Sequence, residues 1–120
     1  MTKLLTHTRR PDIIFYKSGR ILITARVARL LTLNTGDVIN IAVDGGEHLL
    51  FAGKDMFGRH EARCHPSKKG GRTFVANSTR LCRAMLEICN ANGDRASLMI
   101  GEPTVRGGIT YLPVITSHLL

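Results

Sequence analysis

The sequence predicts a mainly β domain with two short helices: a small β-barrel with pseudo-two-fold symmetry, built from two hairpin-helix-strand repeats. Three observations predict it. A chain of 120 residues can form one modest core and is too short for two independent domains. One order of features occurs twice: a glycine turn, an aliphatic run, a short helix bearing arginines, a Gly-Asp corner and a further aliphatic strand. The landmarks also stay in order at widening offsets, with Gly19 to Gly71 at 52 residues, Gly36 to Gly93 at 57 and Gly45 to Gly107 at 62. Repeat one then covers about 10–52, a connector about 53–60 and repeat two about 61–116, the two copies sharing one core.

Residues 1–9 are polar and read as a loose arm. Ile13-Ile14-Phe15-Tyr16 is β-prone, Lys17-Ser18-Gly19 turns the chain, and Arg20-Ile21-Leu22-Ile23 returns it as a hairpin. Thr24 is placed to cap a helix whose Val27, Leu30 and Leu31 form one apolar face, with Arg26 and Arg29 on its flank. Asn34-Thr35-Gly36 should stop that helix, and Asp37 should accept backbone N–H bonds at the corner. Val38 to Val43 follows as a strand, Asp44-Gly45-Gly46 as a tight turn and Glu47 to Phe51 as its partner.

In the second copy, Glu61 to Pro66 is expected to match the Ile13 strand, and Phe74-Val75 to match Leu22-Ile23. A helix from about Ser78 carries Leu81, Met85, Ile88 and Cys89 on one face. Asn92-Gly93-Asp94 repeats the corner, Ala96 to Ile100 the strand, and Val105 to Leu112 overlies Val43 to Leu50 with a second Gly-Gly hairpin. The widening offsets place one insertion in the helix segment and one in the hairpin. Pro113 suggests an edge position.

Seventeen Lys and Arg against nine Asp and Glu give a formal charge of +8, which favours an anionic partner. The halves contribute +4 each, so the charge belongs to two similar faces and not to a basic tail. No apolar run is long enough to span a membrane, and the first ten residues lack a leader pattern, so a cytoplasmic location is expected. Three cysteines, an odd number without a dense framework, suit a reducing compartment.

The order Gly19-Arg20-Ile21-Leu22-Ile23-Thr24 through Gly36-Asp37-Val38-Ile39-Asn40-Ile41 resembles the AbrB-type swapped-hairpin family, with its MazE antitoxins and the tandem MraZ proteins. The Gly-Asp corner also resembles the motif of the wider cradle-loop and double-psi barrels, so swapped-hairpin and double-psi topologies both stay open. The family usually has proline after the aliphatic run, where this chain has Thr24 and Ala76, and an arginine four positions later, here Ala28 and Arg80. The resemblance implies a transcription regulator that binds double-stranded DNA, with a homo-oligomer as a further possible state of the chain. It nominates Arg20, Arg26, Arg29, Arg72, Arg80 and Arg83 as DNA-facing residues.

The residues support the same reading independently. Arg26 with Arg29, and Arg80 with Arg83, are i, i+3 pairs that point to one side of their helices, suited to phosphates or to plain solvent. Lys68 and Lys69 sit in a loop suited to backbone contacts. Arg20 and Arg72 are equally suited to pairing with Asp37 and Asp94. Six aromatics, mostly within apolar runs, argue against a base-stacking single-strand binder. His60, Cys64 and His65 lie close in sequence, but the chain has no Cys-x-x-Cys pair, so neither a metal nor another cofactor is expected. No nucleophile, base and carboxylate form a recognisable frame, so neither an enzyme nor a small-molecule substrate is expected. The alternative is a non-enzymatic protein-interaction or self-assembly module on the same barrel.

Overall fold

The computed structural model describes residues 10–53, 62–68, 71–117 and 119. In chain order the elements are β1 (Ile13–Tyr16), β2 (Arg20–Ile23), α1 (Ala25–Leu31), β3 (Val38–Asp44), β4 (Glu47–Ala52), β5 (Ala62–Arg63), β6 (His65–Pro66), β7 (Phe74–Asn77), α2 (Thr79–Ile88), β8 (Arg95–Ile100), β9 (Thr104–Arg106) and β10 (Ile109–Ile115). They form one antiparallel sheet in the order β5-β3-β4-β10-β8-β1-β2-β7-β6, with β9 on β10. Since β5 and β6 flank Cys64 in one short stretch, the sheet curls into a nearly closed barrel.

The two copies are interleaved. β1 pairs with its own β2 and with the other copy's β8, Phe15 facing Ala96. The second copy does the same with β5 and β6: β6 pairs with β7, and β5 with the first copy's β3, where Ala62 faces Ile39. Two contacts mark the pseudo-two-fold axis, the β2–β7 ribbon and the crossing of β4 with β10 at Leu50 and Leu112. Both leucines are fully buried and join Ile13, Phe15, Ile21, Ile23, Met85 and Leu98 in a shared core. Each such side chain contributes about 1.5–3 kcal/mol by leaving water.

The ribbon pairing corrects the repeat register. Arg20 faces Asn77 and Ile23 faces Phe74, so the symmetry superposes Arg20 on Phe74 and Thr24 on Ser78, an offset of 54 residues. Phe74-Val75 therefore matches Arg20-Ile21, not Leu22-Ile23, and Gly71 is no counterpart of Gly19. Gly19 has φ +102°, and a Cβ there would meet the Thr79 hydroxyl at 2.9 Å; Gly71 has no positive φ. The mismatch arises because the tight Lys17-Ser18-Gly19 turn is replaced in the second copy by the longer segment from Ser67 to Thr73. Under the corrected register Arg26 matches Arg80 and Arg29 matches Arg83.

Local chemistry explains the other departures. Thr24 stands at the N-cap of α1, but its hydroxyl donates to the Asp12 carbonyl at 2.8 Å and caps nothing; Ser78 does cap α2, accepting from the Leu81 N–H at 3.1 Å. Helix α1 stops before Asn34, because Thr32 turns left-handed at φ 54° and the Leu33 N–H bonds back to the Ala28 carbonyl. Asn90 at φ 52° does the same for α2. The corner behaves as expected, with Asp37 accepting the Asn34 N–H at 2.8 Å. Ile88, placed by periodicity on the buried face, is 40% exposed. The expected strand from Glu61 to Pro66 is split at Cys64, and Glu61 lies outside the described residues.

Pro113 is not at an edge: it faces Leu49 on β4, with β8 and β9 on its other side. Its missing N–H falls in the gap where Gly101 to Pro103 detours between β8 and β9, and its carbonyl accepts the Gly101 N–H at 2.7 Å. Both Gly-Gly turns have positive φ at both glycines, as a twisted two-residue hairpin requires. A β-branched residue in the left-handed region is strained, so Thr32→Gly is expected to stabilise the protein by about 1 kcal/mol, read as a rise in Tm of about 4 °C. An unchanged or lower Tm would show that Thr32 relieves its strain through contacts the glycine loses.

Candidate nucleic-acid interface

The two helices leave opposite ends of the β2–β7 ribbon. The Ser78 N–H bonds to the Gly19 carbonyl at 2.8 Å, fixing the start of α2 beside the Lys17-Ser18-Gly19 turn. The start of α1 at Thr24 lies beside Thr73 at the other end, continuing the Ile23–Phe74 pairing. Five residues of extended chain separate the two starts, roughly 17 Å. Arg26, Arg29, Arg80 and Arg83 are all exposed and repeat across the axis.

Their environments differ. The Arg26 Nη1 donates to the Asp12 Oδ2 at 3.1 Å, and that buried carboxylate also accepts the Ile100 N–H at 3.0 Å. Arg26 is thus tied to Asp12, while Arg80, Arg83 and Arg29 make no ion pair among the described residues. Arg29 and Arg72 line one open cleft of about 440 Å³, and Arg83 lines another of about 490 Å³ with Lys17. Arg26 and Arg29, three residues apart on α1, therefore have different surroundings, a carboxylate for the first and an open cleft for the second.

Arg20 is exposed, with its guanidinium carbon 5.9 Å from the centre of the Tyr16 ring, a weak cation–π contact, and not paired with Asp37. Arg72 and Lys68 are exposed, the Lys68 carbonyl accepting the Gly71 N–H at 2.9 Å. Lys69 lies outside the described residues. The sequence pattern points to Lys17 only as part of a turn and does not single out Asp12 at all. The signal for Asp12 was a lone acidic residue beside a predicted strand with a basic helix nearby, which is too common to single out.

The three cysteines are buried and free. Burial, reinforced by the nearby Asp37 carboxylate, pushes the Cys64 thiol up to about 12 from an ordinary 9.0. Burial pushes Cys82 up to about 11 and raises Cys89 too. A raised thiol pKa favours the folded state while the thiols stay neutral, so this stability is fully present below pH 9.0 and is lost as pH climbs through about 11 and 12. Native protein at neutral pH should react with a thiol reagent at least 100-fold more slowly than urea-unfolded protein, about the protection that burial of stable native structure gives. Rapid native labelling would contradict this burial. Among the described residues no group of three or more His, Cys, Asp and Glu could hold a metal ion; His60 lies outside them. No described helix is long and apolar enough to cross a membrane.

No protein-family model, curated protein or solved structure matches the chain.

Proposed function

We propose that the protein is a non-enzymatic double-stranded DNA-binding regulator of the AbrB or MraZ kind, using the face formed by the β2–β7 ribbon and the flanking helices. The observation that carries this reading is the set of exposed arginines Arg29, Arg80 and Arg83 about the ribbon, with Arg26 at the position matching Arg80 but ion-paired to Asp12. Helix starts roughly 17 Å apart suit cations that straddle a major groove about 12 Å wide. Phosphate contacts of this kind bring affinity and salt dependence. The test is a titration of a labelled generic duplex across a salt series. Micromolar or tighter binding with a steep negative salt slope is expected, and no binding even at low salt would overturn the reading.

A second reading, a self-assembly module, draws on the hairpin ends. Val43 and Val105 are 69% and 67% exposed, beside Asp44 and Arg106, whose side chains pair at 2.6 Å. The outer edge of β9 carries no partner strand among the described residues. Assembly through these ends predicts a concentration-dependent mass in sedimentation, abolished by Val43→Asp with Val105→Asp, and a mass fixed at one chain would exclude it.

A further inference from the structure

The pseudo-symmetry sets two comparable clefts, one at each helix. Each lies between one copy's helix and the segment that leads the other copy into the ribbon. Arg29 matches Arg83 by register, and Thr32 matches Asn90 as the left-handed residue that ends the helix. Arg72 in the first cleft and Lys17 in the second each precede a ribbon strand and supply the second cation.

The clefts differ in one charge. Glu87 lines the Lys17–Arg83 cleft, together with Asn90 and Asn92. The Arg29–Arg72 cleft is walled by Ala25, Ala28, Leu33 and Phe74, and no described residue that lines it is acidic. Two guanidiniums that share a cleft repel each other, more so where apolar walls displace water. A phosphate group relieves that repulsion, and its oxygens fit the donor fork of a guanidinium.

We infer that the Arg29–Arg72 cleft is a phosphate-binding site, whereas in the Lys17–Arg83 cleft Glu87 already supplies the negative charge a phosphate would bring. The two halves of the basic face are then chemically unequal despite their shared fold. The inference rests on the anion-binding face proposed above and adds a definite site to it. The phosphate could belong to a duplex backbone or to a free phosphorylated small molecule, and the experiment separates these sources.

The probe is inorganic phosphate, titrated at about pH 8 into the full ¹⁵N-labelled chain against chloride of matched ionic strength, where phosphate carries most of its second negative charge. Saturable shifts are expected at the amides of Thr32, Leu33, Gly71 and Arg72, with Asn90 to Gly93 unmoved. Arg29→Gln or Arg72→Gln should weaken the response at least ~10-fold, as loss of a charge-assisted bond does. Glu87→Gln should create a saturable response at Asn90 to Gly93, a gain that misfolding cannot mimic. Displacement of phosphate by a duplex assigns the site to backbone phosphates, and coexistence of the two assigns it to a free phosphorylated molecule. No saturable shift, an equal shift at both clefts, or undiminished binding in both arginine variants would overturn the inference. If the duplex binds while phosphate does not, only this inference fails; if phosphate binds while the duplex does not, only the DNA reading fails.

Discussion

Asp12→Ala is expected to destabilise the protein by about 3 kcal/mol, seen as a fall in Tm of about 10 °C. The carboxylate is nearly buried and joins three parts of the fold. Its Oδ2 accepts from Arg26 on α1 and from the Ile100 N–H at the end of β8, while its main chain holds Leu98 and Thr24. Alanine leaves the Ile100 N–H without its acceptor and Arg26 without its counter-charge, and a buried donor left unpaired costs about 1–3 kcal/mol by itself. Asp12→Asn keeps a carbonyl oxygen for Ile100 and should lose about half as much. Arg26→Ala should cost less again, because the arginine side chain is 47% exposed and solvent screens its pairing. Equal Tm values for Asp12→Ala and wild type would mean that the link between α1 and β8 carries no stability.

The combined change of Arg26, Arg29, Arg80 and Arg83 to alanine should weaken duplex binding more than ~100-fold at moderate salt. Each arginine that meets a phosphate contributes about 0.9 to the salt slope, so Arg29 and Arg80 account for about 1.8, Arg83 being offset by Glu87 in its cleft. Arg26 is excluded because Asp12 already holds it. Hence Arg80→Ala alone should flatten the slope by about 0.9, while Arg26→Ala at the equivalent position should leave the slope unchanged and lower Tm. Equal slopes for the two single variants would contradict this division of roles between matched residues.

Much of the architecture was legible because glycine and periodicity speak locally. The two Gly-Gly hairpins, the start of α2 near Ser78, the Asp37 corner and the β-prone Ile13 to Tyr16 strand each depend on a few adjacent residues. The repeat register was not legible, because alignment by glycine assumed that Gly71 does what Gly19 does. Gly19 answers to a positive φ and to Thr79 across the ribbon, a contact no local pattern encodes. Pro113 misled in the same way: proline argues for an edge, but here a detour in the neighbouring strands removes the need for its N–H. For the basic face, sequence supplied the arginines and their spacing. It could not show that Asp12 takes up Arg26, which needs α1 packed back beside the start of β1, or that Lys17 shares a cleft with Arg83, which needs the copies interleaved.

The most direct test is amide chemical-shift mapping of the ¹⁵N-labelled chain as a generic duplex is added at low salt. Perturbation is predicted along Arg20 to Arg29 and Phe74 to Arg83, on both helices and the ribbon between them, with the hairpin ends around Val43 and Val105 quiet. Perturbation confined to those hairpin ends, or absent along the ribbon, would contradict a DNA-binding face built on the pseudo-two-fold axis.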